Sequence, residues 1–212
     1  MSTYIGPIGQ FGVGGFRLYK SAIERLKGVK YLINYILIKY TMFKNIANFN
    51  NTNDYLPLLN GVLITDLFVI LLLNTGVIRS VVLKEWYMKY NLSAVIADVL
   101  IIFIGLIIVR AIYYFIFDKF SIIQFISLAV VVQILHDILF YLFFKNVPRG
   151  MNQMLDTFKD YANEVSYRAI FADSGMMFLA CLIASYLASK SSNVNIIVLI
   201  IFVYLLPYLL YN

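Results

Sequence analysis

The chain has one cysteine, Cys181, and one histidine, His136. A single cysteine excludes an internal disulfide, and a thiolate metal site would need ligands from other residue types. A single histidine is few for a zinc site, which usually takes two or three. The signatures His-Glu-x-x-His and Gly-x-Ser-x-Gly do not occur in the sequence, so it offers no motif of those hydrolase classes. No catalytic residue is assigned, and Cys181 is interpreted as a small packing residue.

Charged residues are also scarce. They make up 13% of the chain, whereas hydrophobic residues make up 62%. A soluble domain has about 25% charged and about 45–50% apolar residues. The net charge is +6, but most basic residues flank apolar runs, as expected for orientation signals and for contacts with anionic lipid. The composition argues against nucleic-acid binding and indicates an integral membrane protein.

Five apolar runs are each close to the length of about 20 residues that a helix needs to cross a bilayer. They cover residues 56–78, 93–117, 122–144, 170–189 and 194–211. The sequence therefore predicts an all-α membrane protein with five transmembrane helices. We expect the transmembrane bundle over 56–212, preceded over 1–55 by a glycine-rich tail and a basic amphipathic helical extension. No cofactor is expected.

Two amphipathic segments lie outside these runs. Residues 16–48 have helical periodicity with interspersed basic residues, and this helix would lie on the membrane surface or pack on the bundle. In the loop 145–169, apolar residues at helical spacing predict an interfacial helix over 151–166. A small excess of lysine and arginine on the N-terminal side favours a cytoplasmic N-terminus. The side chains predicted to contact lipid head groups are basic residues of the extension and two aromatic residues: Arg17, Lys20, Arg25, Lys27, Lys30, Trp86 and Tyr87.

Polar side chains inside the apolar runs are the main clue to function, because a charge there costs a few kcal/mol and is usually kept for a reason. Asp173 shares a stripe of small residues with Ala180 and Ala184, which predicts a face that packs against another helix. Gln133 and Asp137 are one helical turn apart and are placed to bond each other. The predicted intramembrane network comprises Asp66, Asp98, Arg110, Gln133, His136, Asp137, Asp173 and Ser174.

Three functions fit this network. The polar groups could hold the helices together through hydrogen bonds and ion pairs in a structural or assembly protein, which is the leading interpretation. They could instead line a proton or ion path, since chains of Asp and His are typical of proton relays. The third function is an intramembrane metal-assisted hydrolase that uses His136 with Asp137, Asp98 or Asp173. In the leading interpretation the protein is not an enzyme, and its partners are the bilayer and other membrane or capsid proteins, with self-association left open.

Two stretches of the sequence carry a resemblance. The first is Trp86-Tyr-Met-Lys-Tyr-Asn-Leu-Ser-Ala-Val-Ile-Ala-Asp98-Val-Leu-Ile-Ile, and the second is His136-Asp-Ile-Leu-Phe-Tyr, followed by Val147-Pro-Arg-Gly150 and Met154-Leu-Asp-Thr-Phe-Lys-Asp-Tyr161. Over roughly residues 84–189, the chain resembles uncharacterised multi-pass membrane proteins of large nucleocytoplasmic DNA viruses. The resemblance implies a place in the inner membrane of a virion or in a host-derived assembly membrane. It brings no assigned chemistry.

Overall fold

The computed structural model describes residues 43–211. A short 3-10 turn, Thr52–Asp54, leads into seven α-helices, and no β-strand occurs within the described range. The helices are α1 (Tyr55–Asn74), α2 (Val81–Tyr90), α3 (Leu92–Ile116), α4 (Ile122–Asn146), α5 (Gln153–Val165), α6 (Arg168–Ala188) and α7 (Ser192–Leu210). The prediction of an all-α fold is confirmed.

Five of the helices, α1, α3, α4, α6 and α7, are long and apolar enough to cross a membrane. They coincide with the five predicted runs, and the largest difference is at the end of the first. There α1 ends at Asn74 rather than near residue 78. Gly76 adopts a positive φ of 75°, and the backbone N–H groups of Val77 and Ile78 fold back onto the carbonyl of Leu72. This is the usual way in which a glycine ends a helix.

The bundle has two ends that differ chemically. Because successive spans run antiparallel, the connections between them lie alternately at one end and the other. Residues 43–54, the α3–α4 turn and the α6–α7 turn lie at one end, which we call the segment end. At the opposite end, α2 connects α1 to α3, and α5 connects α4 to α6. These two short helices contact each other, and we call this the helical end. The two connections that contain a helix therefore lie at the same end of the bundle.

The sequence predicts one of the two short helices and not the other. The helix predicted over 151–166 is confirmed as α5, Gln153–Val165. The sequence argument assigned no helix to the aromatic stretch before Tyr90, where the structure forms α2. Each short helix joins the next span through one residue with a positive φ, Asn91 (47°) or Ser166 (54°). The α2–α3 corner is Asn91 alone, and the α5–α6 corner is formed by Ser166 and Tyr167.

The packing centre lies where α1 crosses α6. A Cβ atom at Gly61 would lie 2.7 Å from the carbonyl oxygen of Ala180 and 2.8 Å from the backbone nitrogen of Ala184. The two backbones approach this closely because small residues face each other, as in other membrane helix pairs. The stripe that contains Ala180 and Ala184 therefore packs against a helix, as predicted.

The end of the predicted extension belongs to the bundle. Ile46 and Ala47 are fully buried, and the backbone N–H of Lys44 donates to the carbonyl of Ser185 at 3.1 Å. The packed unit thus includes residues 43–54, on the N-terminal side of the predicted boundary at 55/56. Of the helix predicted over 16–48, residues 43–48 are not helical, and the rest lies outside the described residues.

Candidate functional site

Four aspartates from four different spans lie at a similar depth near the helical end. They are Asp66 of α1, Asp98 of α3, Asp137 of α4 and Asp173 of α6. At a rise of 1.5 Å per residue, each lies about 8–14 Å along its helix from the terminus at that end. We call these four residues the acid layer. The topology alone sets their common depth, because α1 and α4 run toward the helical end while α3 and α6 start from it.

Helix α2 inserts two side chains into the acid layer. The hydroxyl of Tyr87 donates to Oδ1 of Asp66 at 2.9 Å, and Nε1 of Trp86 donates to Oδ2 of Asp98, also at 2.9 Å. Trp86 and Tyr87 are only 4% and 5% exposed. Their placement differs from the predicted contact with lipid head groups, because their polar atoms find carboxyl partners inside the protein. The basic residues predicted to make such contacts, Arg17, Lys20, Arg25, Lys27 and Lys30, lie outside the described residues.

Helix α4 contributes a local cluster around Asp137. Nε2 of Gln133 donates to Oδ1 of Asp137 at 2.7 Å, as the spacing predicts. Nδ1 of His136 lies 3.3 Å from the same oxygen, and its ring stacks on Phe140 with 5.6 Å between centroids. The side chain of His136 thus turns toward its neighbour in the chain. Ser174 of α6 is half-buried beside Asp173.

Two phenols of the short helices lie against the acid layer. Burial raises the pKa of Tyr87, and the nearby carboxyls of Asp98 and Asp66 raise it further. Burial also raises the pKa of Tyr161 in α5, and the carboxyl groups of Asp173, Asp98, Glu164 and Asp137 raise it further. The phenol is therefore within electrostatic range of three members of the acid layer and of Glu164. Both phenols therefore keep their protons and are able to donate hydrogen bonds, as Tyr87 does to Asp66.

Arg110 lies at the segment end, apart from the acid layer with which the sequence grouped it. Its guanidinium donates to the backbone carbonyls of Asn48 and, at 2.9 Å, Asn51. It lies 3.9 Å from Oδ2 of Asp54 and 4.5 Å above the ring centroid of Tyr55. Its aspartate partner therefore precedes the first span and does not lie within another span.

Two further polar joints lie at the segment end. Nδ2 of Asn60 in α1 donates to the carbonyl of Asn195 in α7 at 2.9 Å. The hydroxyl of Ser185 in α6 donates to the carbonyl of Lys44 at 2.7 Å. Sequence reasoning left both out of the network. The signal that could have found them is their position, because Asn60, Ser185 and Asn195 are polar residues within apolar runs.

The acid layer does not have the arrangement of a metal site. Among residues 43–211, no group of three or more His, Cys, Asp and Glu side chains is placed to hold a metal ion. The layer instead offers carboxyl groups surrounded by neutral donors, two of them phenols. That chemistry suits hydrogen bonding and proton exchange.

Comparisons with protein-family models, with curated proteins and with solved structures find no match for this chain. The resemblance to viral membrane proteins therefore stays a prediction. What the structure shows is a multi-pass membrane protein in which polar side chains meet at two separate levels, and its function has to be argued from those two levels.

Proposed function

We propose that this protein is a structural or assembly component of a membrane, in which the intramembrane polar groups hold its parts together. One observation carries the proposal: three of these groups, Asp66, Asp98 and Arg110, bind elements other than their own helix. Asp66 and Asp98 bind α2, and Arg110 binds the segment 43–54. In each case a span uses a polar side chain to fasten a piece of chain that does not itself cross the membrane.

This use of polar groups fits the energetics of membrane proteins. Lipid tails are as apolar as leucine, so apolar side chains gain little by leaving lipid for a neighbouring helix. Hydrogen bonds between helices contribute about 0.6–2 kcal/mol each, and close packing of small residues contributes the rest. The chain combines both devices, with hydrogen bonds at its two ends and the contact of Gly61 with Ala180 and Ala184 between α1 and α6. Such a bundle is suited to a structural role in a membrane.

The depth of the acid layer favours this role over conduction. A path for protons or ions needs polar groups along its whole length, whereas the four aspartates share one depth. The polar groups at the other end, Arg110 and Asn60, are bound to backbone carbonyls of neighbouring elements. The arrangement supports two separate joints.

The viral resemblance supplies a setting for the proposal. In that setting the protein works in the inner membrane of a virion or in a host-derived assembly membrane, with its N-terminus in the cytoplasm. Its partners are the bilayer and other membrane or capsid proteins, and copies of the chain could associate. Large apolar residues exposed along α4 and α7, including Leu135, Leu139 and Ile200, are compatible with lipid or with such neighbours.

The proposal is tested by abundance and by permeability. Quantitative mass spectrometry of the native membrane should find the chain in amounts comparable to the major membrane proteins, and its depletion should alter membrane shape in electron micrographs. Liposomes that contain the purified full chain should be no more permeable to protons, Na⁺ or K⁺ than protein-free liposomes. A flux that Asp173→Asn abolishes, and that the exposed control Asp118→Asn retains, would contradict the proposal in favour of conduction.

A further inference from the structure

We propose that the acid layer is a proton-binding site, in which the carboxyl groups of Asp66, Asp98, Asp137 and Asp173 share protons at neutral pH that arrive from the helical end. This inference goes beyond a structural role, since it assigns a ligand to groups that a purely structural protein would need only as hydrogen-bond acceptors.

The first support is a shortage of donors. Asp66 is fully buried, and while its Oδ1 accepts from Tyr87, its Oδ2 is buried with no hydrogen-bond partner among residues 43–211. Oδ2 of Asp137 is in the same condition. A buried carboxylate oxygen without a donor is costly. A bound proton removes the charge and turns the group into a hydrogen-bond donor.

The second support is the proximity of like groups. The carboxyl of Asp66 is within electrostatic range of Asp98, and that of Asp173 is within range of both Asp137 and Asp98. Carboxyl groups that share one site away from water do not all ionise together, and their protons belong to the group as a whole.

The third support is the lack of a countercharge within the described residues. The groups that face the layer are, from α1 to α6 in chain order, Asp66, Trp86, Tyr87, Asp98, His136, Asp137, Tyr161, Glu164 and Asp173. His136 is the one member of this set that can become positive. At the helical end, Arg149 pairs with Asp160 at 2.7 Å, and Lys159 binds the carbonyl of Val147. The other basic residues there are exposed: Arg79, Lys84, Lys89, Lys145 and Arg168.

The exposure pattern indicates the route of entry. Asp66 is sealed, whereas Asp173 is half-buried and lies near the start of α6. Protons from the helical end therefore reach Asp173 first and Asp66 last.

Infrared spectroscopy of the full chain in liposomes tests the inference, because protonated carboxyl groups have a carbonyl stretch separate from that of carboxylates. The wild type should show this band at pH 7. Asp173→Asn and Asp66→Asn should each remove a distinct part of it. The matched control Asp118→Asn, in the exposed α3–α4 turn, should leave it unchanged.

Three outcomes would overturn the inference: no such band in a chain that is helical by circular dichroism, a band that neither variant reduces, or a band that Na⁺ removes at constant pH, which would indicate a monovalent-cation site. Should Asp66→Asn fail to fold, Asp173→Asn decides, because its side chain is half-buried. The measurement is independent of abundance and permeability, so this inference and the proposed function can fail separately.

Discussion

The two ends of the bundle bury charged groups in opposite ways. At the segment end, Arg110 meets the carboxylate of Asp54 and two backbone carbonyls. At the helical end, Asp66 and Asp98 meet the uncharged donors Tyr87 and Trp86. The guanidinium has a fixed arrangement because it stays charged and needs acceptors from the segment 43–54, where Asp54 also binds Lys44 at 3.0 Å. Carboxyl groups held by neutral donors can gain or lose a proton while keeping their partners, so we expect the helical end to respond to conditions that leave the segment end unchanged.

Removal of the arginine should have the largest effect. Arg110 is 1% exposed, and Arg110→Met keeps most of the length of the side chain while removing its charge and donors. Asp54 keeps Lys44 at 3.0 Å, but the carbonyls of Asn48 and Asn51 lose two hydrogen bonds from a charged donor, which contribute about 3–6 kcal/mol together at about 1.5–3 kcal/mol each. We expect the free energy of unfolding in detergent to fall by that amount. Arg110→Lys keeps the charge and should recover part of the loss; equal stability of the Met and Lys variants would show that the charge is not what matters at this end.

A methyl group at the centre of the bundle should have the next largest effect. Gly61→Ala places a Cβ against the backbone of Ala180 and Ala184, which cannot move aside cheaply. Overpacking of this kind costs about 1–3 kcal/mol. The matched control is Gly175→Ala, where a Cβ would meet open space. Thermal unfolding should separate the two variants, and similar melting temperatures would contradict the close approach of α1 and α6.

The tryptophan at the helical end provides a smaller test. Trp86→Phe removes the donor to Asp98 but retains an aromatic ring against Phe158, whose centroid lies 4.7 Å away. Leaving a partly buried acceptor unsatisfied costs about 1 kcal/mol. A double-mutant cycle with Asp98→Ala, which removes the acceptor, isolates the contact. Additive effects of the two changes would mean that the hydrogen bond does not hold α2 in place.

The smallest expected effect concerns the start of α2. Glu164 of α5 accepts from the backbone N–H groups of Val81 (2.8 Å) and Val82 (3.0 Å) and from the hydroxyl of Ser80. Burial alone would raise the pKa of Glu164, but these donors outweigh it and lower the pKa. The stabilisation is therefore complete above the ordinary glutamate pKa of about 4.3 and is lost as the pH falls through the lower folded value.

Hydrogen exchange at the first amides of α2 measures this contact. At neutral pH, the first amides of α2 should be more protected in the wild type than in Glu164→Gln, by about 1 kcal/mol, which is typical of a helix cap. At acidic pH, the wild type should lose this extra protection and resemble the variant. Asp160→Asn, on the exposed side of α5, serves as the control. Identical profiles for Glu164→Gln and the wild type would show that α5 does not cap α2.

The sequence predicts what depends on local pattern. Apolar runs locate the five spans, the spacing of Gln133 and Asp137 predicts their bond, and the small residues at Ala180 and Ala184 predict a packed face. It does not predict α2, since ten residues form a stable helix here only with partners such as Glu164, which lies 84 residues from Ser80 in the chain. For the same reason Trp86 was expected at the lipid surface: an aromatic residue near a span end suits both head groups and a buried carboxyl, and only the fold decides between them.

The partner of Arg110 was hidden for a related reason. Its contacts with Asn48 and Asn51 span 62 and 59 residues of the chain, and the polar stretch before the first span is typical of an ordinary solvent-exposed loop. The orientation of His136 depends on a rotamer, which helical periodicity does not determine.

The single-residue corner at Asn91 sets a limit on how the length of this chain can change. One residue inserted there would lengthen the connection between α2 and α3, and Trp86 would no longer be held against Asp98. The spacing of 12 residues between those two side chains is therefore expected to be invariant among related chains. The spacing of 21 residues between Asp66 and Tyr87 includes the open connection after α1 and can vary. Insertions and deletions in related sequences should accumulate before α2 and avoid the corner that follows it.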